Sequence, residues 1–155
     1  MKLIYRERIL SWFDSSDIYD ENGNTVYTIK GRLHWGHKFE IFDRNENSVA
    51  EIVQEILTLM PRFAIYKDGE YVGCVSKNFT LFSHSFSVDF KDWSIDGDVF
   101  AWDFTARDGD GETVFTASKQ FFEFTDKYVL DIPDEKNALY AVLVMTAIDA
   151  AMCRE

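Results

Sequence analysis

This chain has little of what staples, chelates or spans. Its two cysteines, Cys74 in a strand-like pattern and Cys153 beyond the last apolar stretch, form neither a disulfide framework nor a metal-ligand spacing. That usage suits a reducing compartment, and a cytoplasmic location is expected. Three histidines, His34, His37 and His84, are too few by themselves for a zinc site, which takes three or four protein ligands. Cations are scarce: 16 Lys and Arg stand against 27 Asp and Glu, a formal net charge of −11. Such a surface repels nucleic-acid phosphates and anionic lipid on average, so no nucleic-acid partner is expected. The opening residues lack the continuous apolar run of a signal peptide. The one long apolar stretch, Ala138 to Met152, falls short of the ~20 residues a span needs and contains Asp149, so no transmembrane span is expected. There is no Gly-x-Ser-x-Gly elbow, no phosphate-binding glycine loop ending in Lys-Ser/Thr and no Gly-x-Gly-x-x-Gly. Neither a catalytic constellation nor a cofactor is read from the sequence.

What is abundant is aromatic surface and short alternating segments. Aromatic residues make up 16% of the chain, with 14 Phe. Each ring can bury ~150–250 Å², so a core forms without disulfides or metal. A chain of 155 residues fits one domain, 1–155. Residues 2 to 132 read as strands joined by Asp/Asn/Gly turns. Residues of about 134 to 153 read as a helix without a polar face: Asn137, Tyr140, Thr146 and Asp149 scatter around its axis among Ala, Leu, Val, Met and Ile. A helix apolar on all sides is enclosed on all sides.

The strand region hides a repeat. Asp20, Gly23, Thr25, Val26, Tyr27 and Thr28 return as Asp108, Gly111, Thr113, Val114, Phe115 and Thr116 in the same register. A looser copy runs over 41–49, where Asp43 and Asn47 align with Asp20 and Asn24, and a shorter one surrounds Asp68 and Gly69. Each unit is an apolar strand end, a turn whose Asp or Asn caps its own backbone, and an alternating strand, which is the grammar of antiparallel hairpins. Further strands are expected at 2–10, 86–90, 99–105 and 128–132, the last stopped by Pro133. The total is about twelve. Eight strands leave room only for side chains, so a barrel that admits a helix ~10–12 Å across needs eleven or more. The expected fold is mainly β with one helix: a closed antiparallel barrel of about 12 strands around a buried hydrophobic C-terminal helix, capped by Asp134.

Four groups of residues invite a functional reading. His34, Trp35, Gly36 and His37 form a turn that could set two imidazoles toward one ion, or simply pack and hydrogen-bond. The acidic segments 20–24, 96–98 and 108–111 resemble the start of an EF-hand loop, but the closing Glu is replaced by Gly31, Arg107 and Lys119, so they read as turns. Asp149, ionisable on a wrapped helix, needs a cation such as Arg154 or a barrel Lys or Arg, or a place near a mouth where water reaches it. Trp12, Trp35, Trp93 and Trp102 could line a pocket but more often pack in a Phe-rich barrel. Ser83 beside His84 pairs a nucleophile with a base, although neighbours on a strand face opposite ways.

Taken together, the unit at 18–27, the run Leu57, Leu59, Pro61, Arg62 and Phe63, the group Trp102, Asp103, Phe104 and Thr105, and the closing strand and helix resemble the LURP-one-related branch of the tubby C-terminal-domain-like superfamily, in its small single-domain bacterial form. The resemblance implies a twelve-stranded barrel around a hydrophobic helix and no established catalytic residues. Its wider relatives include phosphoinositide-binding tubby domains and phospholipid scramblases, and plant members are linked to pathogen defence. This chain shows neither a basic cluster like the tubby phosphoinositide site nor a terminal anchor like that of scramblases. The expected function is a non-enzymatic binding or regulatory barrel, its partner an unknown protein or small apolar ligand and its oligomeric state open. Lipid, acyl-ligand or phosphoinositide recognition is the alternative implied by the superfamily. His34, Trp35, His37 and Asp149 are the candidate ligand-binding residues, with no metal ligand assigned.

Overall fold

Twelve strands, each hydrogen-bonded to its neighbours in sequence, close on themselves when β1 pairs with β12. The computed structural model describes residues 1–5, 15–32, 34–81, 85–121 and 126–152. The strands are β1 (Lys2–Tyr5), β2 (Ser15–Tyr19), β3 (Thr25–Arg32), β4 (Lys38–Asp43), β5 (Ser48–Gln54) and β6 (Arg62–Lys67), followed by β7 (Glu70–Lys77), β8 (Phe86–Val88), β9 (Ser94–Asp98), β10 (Asp103–Arg107), β11 (Thr113–Phe121) and β12 (Asp126–Asp131). Every pairing is antiparallel, so the connections fall alternately at two ends of the barrel.

One end holds the repeated turns. Asp20 Oδ1 accepts the backbone N–H groups of Asn22 and Asn24, both at 2.9 Å. Asp43 does the same for Asn45 and Asn47, and Asp108 for Asp110 and Glu112. The three turns are one device used three times, as the repeat predicts. Each needs a left-handed residue: Gly23 and Gly111 supply it at φ 81° and 84°, but the 43–47 turn uses Glu46 at φ 62°. The shorter copy is a two-residue hairpin turn, with Asp68 and Gly69 both at positive φ (51° and 82°).

The last element runs through the barrel. Ile132 and Met1 exchange backbone hydrogen bonds at the acidic end. Asp134 then accepts from the Lys136 N–H and starts a 3-10 turn, Glu135–Asn137, followed by α1 (Ala138–Met152). The expected helix over 134–153 is therefore shorter at its start. The Asp134 cap belongs to the tighter turn, and Cys153 lies outside the described residues. All of α1 except Leu139 and Tyr140 is buried. Its polar members are accommodated singly: Thr146 donates to the Val142 carbonyl at 2.7 Å, and the Tyr140 ring packs on Phe90 and Trp93 under the Lys91 ammonium. Inward-facing Leu3, Ile18, Ile29, Ile41, Ile52, Ile65, Val75, Phe115 and Leu130 complete the core.

Two expectations are corrected. Residues 96–98 are not a turn but part of β9, paired with β10 as Asp96↔Thr105, Gly97↔Phe104 and Asp98↔Asp103. Gly97, at φ 118°, lies so close to β10 that an added Cβ would sit 2.5 Å from the Asp103 carbonyl, so the glycine marks a close backbone approach. Conversely, residues 99–102 are a connection, not the start of a strand over 99–105. There Val99 and Trp102 turn inward, Trp102 at φ 56°. Of the strand expected at 2–10, residues beyond Tyr5 lie outside the described set.

Candidate functional site

The connections β3–β4, β5–β6, β7–β8 and β9–β10 open at the end of the barrel toward which α1 runs. This end differs from the other in what it leaves in water. Among the described residues eight large apolar side chains are exposed, and all but Tyr71 sit on these four connections. Trp35 lies on β3–β4, Ile56, Leu57 and Leu59 on β5–β6, Phe79 and Leu81 on β7–β8, and Phe100 on β9–β10. Trp35 is 83%, Leu59 93% and Leu57 100% exposed. Leu57 also holds a left-handed backbone, φ 65°, which Gly or Asn adopts at less cost.

Beneath the tips the mouth is closed from inside. Trp102 packs against Tyr128, ring centroids 4.3 Å apart, and meets Tyr5 edge-on at 6.1 Å. Tyr5 is fully buried, and its hydroxyl is pushed well above its usual range, first by burial and then by the nearby charge of Asp149. Asp149 itself is buried at 2% exposure near this mouth, and Arg154 lies outside the described residues. Gln54 and Lys77, on the last inward positions of β5 and β7, are also buried at this end.

The turn at 34–37 separates its two imidazoles. His37 continues the inward alternation of β4, is buried and stacks on Phe39 at 5.9 Å, while its backbone N–H donates to Gln54 Oε1 at 2.9 Å. His34 is exposed, with Nδ1 3.1 Å from the Trp35 carbonyl oxygen. Trp35 stands out between them. Of the four candidates, His37 and Asp149 thus belong to the buried mouth and His34 and Trp35 to its outer rim. Among the described residues no three His, Cys, Asp or Glu side chains gather as a metal set. Trp93 and Trp102 are core, Trp35 is not, and Trp12, Ser83 and His84 lie outside the described residues.

Three ion pairs lie on the barrel wall near the apolar tips. Arg32 Nε meets Glu40 at 2.8 Å, Lys38 Nζ meets Glu51 at 3.4 Å and Arg62 Nε meets Glu55 at 2.9 Å. Cys74, on the outer side of β7, donates its thiol to Asp89 at 3.0 Å. Its pKa is raised, first by burial and then by that carboxylate, which disfavours the reactive thiolate. A surface depression of about 350 Å³ lies at the opposite end, beside Met1, Tyr27, Asp43, Arg44 and Glu135, and its lining is largely polar.

The exposed tips other than Trp35 escape a reading of the sequence alone, because Leu57, Leu59, Phe79, Leu81 and Phe100 look like core residues in a chain so rich in rings. The available signal is that each falls between strands, beside polar neighbours such as Thr58, Asn78 and Thr80.

The fold is shared. The X-ray structure of a protein from Arabidopsis thaliana superposes with a TM-score of 0.64 at 17% identity, covering 96% of this chain and 90% of that one. The uncharacterized protein YxjI of Bacillus subtilis (strain 168) is 26% identical over 153 residues, 98% of this chain and 94% of its own. Finally, the profile of the LURP-one-related family matches residues 1–149, nearly the whole barrel and its central helix, and the chain belongs to that family.

Proposed function

We propose that this barrel is a non-enzymatic binding module whose working surface is the apolar end. One observation carries the reading: among the described residues, seven of the eight large apolar side chains left exposed, all but Tyr71, sit at one end of the molecule. Single exposed apolar residues are ordinary on any protein, but a set drawn from four connections onto one end marks an interaction surface. The interior supports this rather than a pocket, since α1 fills the space where a barrel of this size would hold a ligand. A small apolar ligand therefore meets the outside of the mouth, not the lumen.

The test is photo-incorporation of bis-ANS, an apolar dye, followed by peptide mapping. Label is expected in peptides containing residues 34–36, 55–61 and 78–81. Label confined to the turns at 20–24, 43–47 and 108–112, or spread evenly over the barrel, overturns the reading.

A further inference from the structure

We propose that the edge of β9 receives an extended segment of a partner protein in which Lys or Arg alternates with apolar residues, added to the barrel wall as an extra strand. The inference rests on the reading that the apolar end is the working surface, and names the kind of partner that end meets.

The wall is not equally joined all the way round. β8 is held to β7 by three register pairs, Val75↔Val88, Ser76↔Ser87 and Lys77↔Phe86. Asp89 extends that join, its N–H donating to the Cys74 carbonyl and its carboxylate accepting the Cys74 thiol at 3.0 Å. Asn78 extends it the other way: its backbone N–H donates to the Ser85 carbonyl at 2.8 Å, its Nδ2 donates to Ser85 Oγ at 3.1 Å and its Oδ1 accepts the Ser87 hydroxyl at 2.9 Å. On its other side, among the described residues, β8 has one register pair with β9, Ser87↔Ser94. Beyond that pair Ser85 is drawn to β7, while Ile95, Asp96, Gly97 and Asp98 run on toward the apolar end with partners, among the described residues, on β10 alone. Alternate residues of an antiparallel strand send both N–H and C=O to opposite sides, so half of these four turn their backbone groups away from β10. An edge of this kind is a template for another strand.

The side chains on the edge set what that strand carries. Asp96 and Asp98 face outward, and Ile95 and Gly97 alternate with them, in register with buried Ala106 and Phe104. Asp96, Gly97 and Asp98 are all exposed. Asp98 lies directly across from Asp103, also exposed, and no Lys or Arg among the described residues pairs with either. Like charges in this position repel. Asp98 accepts the Ala101 N–H at 3.0 Å, and Asp96 has Arg107 at 3.6 Å. An incoming strand gains by setting cations opposite Asp96 and Asp98 and an apolar side chain between them, opposite Gly97, which presents no side chain of its own. Exposed Phe79 and Leu81 on β7–β8 and Phe100 on β9–β10 belong to the connections on either side of this edge and offer apolar contact to the ends of such a segment. The carboxylates also select: they discourage neutral and acidic strands and admit one that brings positive charge. A second copy of this chain is the wrong partner, since edge-to-edge pairing would set Asp96 and Asp98 against their own counterparts in a molecule of net charge −11.

The experiment is fluorescence anisotropy of labelled peptides of about eight residues in which Lys or Arg alternates with Val, Leu or Phe, with hydrogen exchange of the protein followed over 94–98. The peptides are expected to bind, to slow exchange in that segment and to weaken as salt rises from roughly 0.1 to 0.5 M. Glu in place of the cations should weaken binding by at least about fivefold. N-methylation of one alternate set of peptide amides should abolish binding and of the other set spare it, as a strand paired on one side requires. Asp103→Lys should weaken the cationic peptides by about fivefold while leaving the melting temperature unchanged or higher, because it relieves the opposition to Asp98; that separates recognition from folding. No binding by any of the peptides, equal binding of the Glu series, indifference to N-methylation or unchanged exchange over 94–98 overturns the proposal. In each of those cases bis-ANS label on 34–36, 55–61 and 78–81 would still leave the apolar end as the working surface with a different occupant, and label elsewhere would remove both. Concentration-dependent dimerisation by light scattering that slows exchange over 94–98 would assign the edge to a second copy of the chain and overturn the proposal as well.

Discussion

The two ends of the barrel face the same physical problem, ending twelve strands and a helix in water, and handle it differently. At the acidic end the connections are short and self-satisfied: Asp20, Asp43 and Asp108 each collect two backbone N–H groups, and the rings of Phe90, Trp93 and Tyr140 fold over the start of α1. At the other end Val99 and Trp102 turn inward, while among the described residues their neighbour Phe100 and six more large apolar side chains remain in water. A turn that bonds its own backbone needs nothing further. A connection that leaves leucine exposed on a left-handed backbone keeps apolar surface in water, and that contrast supports the proposed division of folding to one end and binding to the other.

Substitutions sharpen the contrast by separating what is tucked in from what is left out. Trp102→Ala should have the largest effect, about 3–5 kcal/mol of lost stability by chemical denaturation, because it removes the ring that joins Tyr5 to Tyr128 across the mouth. Leu59→Ser on the same end should leave the denaturation midpoint unmoved. Comparable losses from both would mean that the tips are structural and would erase the division.

Acid should act on the opposite end. Asp20 is held below its ordinary pKa of 3.8, first by the Asn24 side-chain amide, and Asp43 likewise, first by the Asn47 backbone N–H. A carboxyl with a depressed folded-state pKa adds stability that is present above its unfolded value and lost as pH falls through the folded one. The melting temperature is therefore expected to fall by a few degrees as pH drops from 5 to below 3.8, and the double variant Asp20→Asn, Asp43→Asn to show a shallower fall over that window. An identical slope in both proteins would remove these turns from the account of acid stability.

The smallest expected effect is a gain. Glu46→Gly gives the 43–47 turn the residue that Gly23 and Gly111 supply in its two counterparts, relieving up to about 1 kcal/mol of backbone cost. A melting temperature that rises by a few degrees supports the equivalence of the three turns. A fall would show that the Glu46 side chain does more than occupy a left-handed position.

How much of this was legible follows from where the physics is local. An Asp followed by a left-handed residue three positions later makes the same turn wherever it occurs, so the acidic end could be read three times over from one pattern. The helix was legible because a segment without a polar face has only one way to leave water. The segment 96–98 misled because Asp-Gly-Asp is turn chemistry in isolation, and only the close pairing of Gly97 with Phe104 makes it a strand. Residues 99–102 misled in the opposite sense, since Val, Phe and Trp favour strands until Trp102 is needed to cap the mouth. At the candidate site, alternation along β4 sends His37 inward while the turn leaves His34 and Trp35 outside, a division that depends on where β4 begins. Whether a leucine between strands points in or out is decided by the whole barrel, and Thr58 between Leu57 and Leu59 is too slight a local mark to give the answer.

The seam between β1 and β12 sets an order of events in folding. Neighbouring strands can zip as soon as each hairpin emerges from the ribosome, but the joint between the first and the twelfth brings together the most distant partners in the sheet. The plug follows the twelfth strand, so the staves must wait, unlatched and with their greasy side accessible, until the helix arrives. That interval is when the nascent chain is most open to misassembly and most in need of a chaperone's shelter.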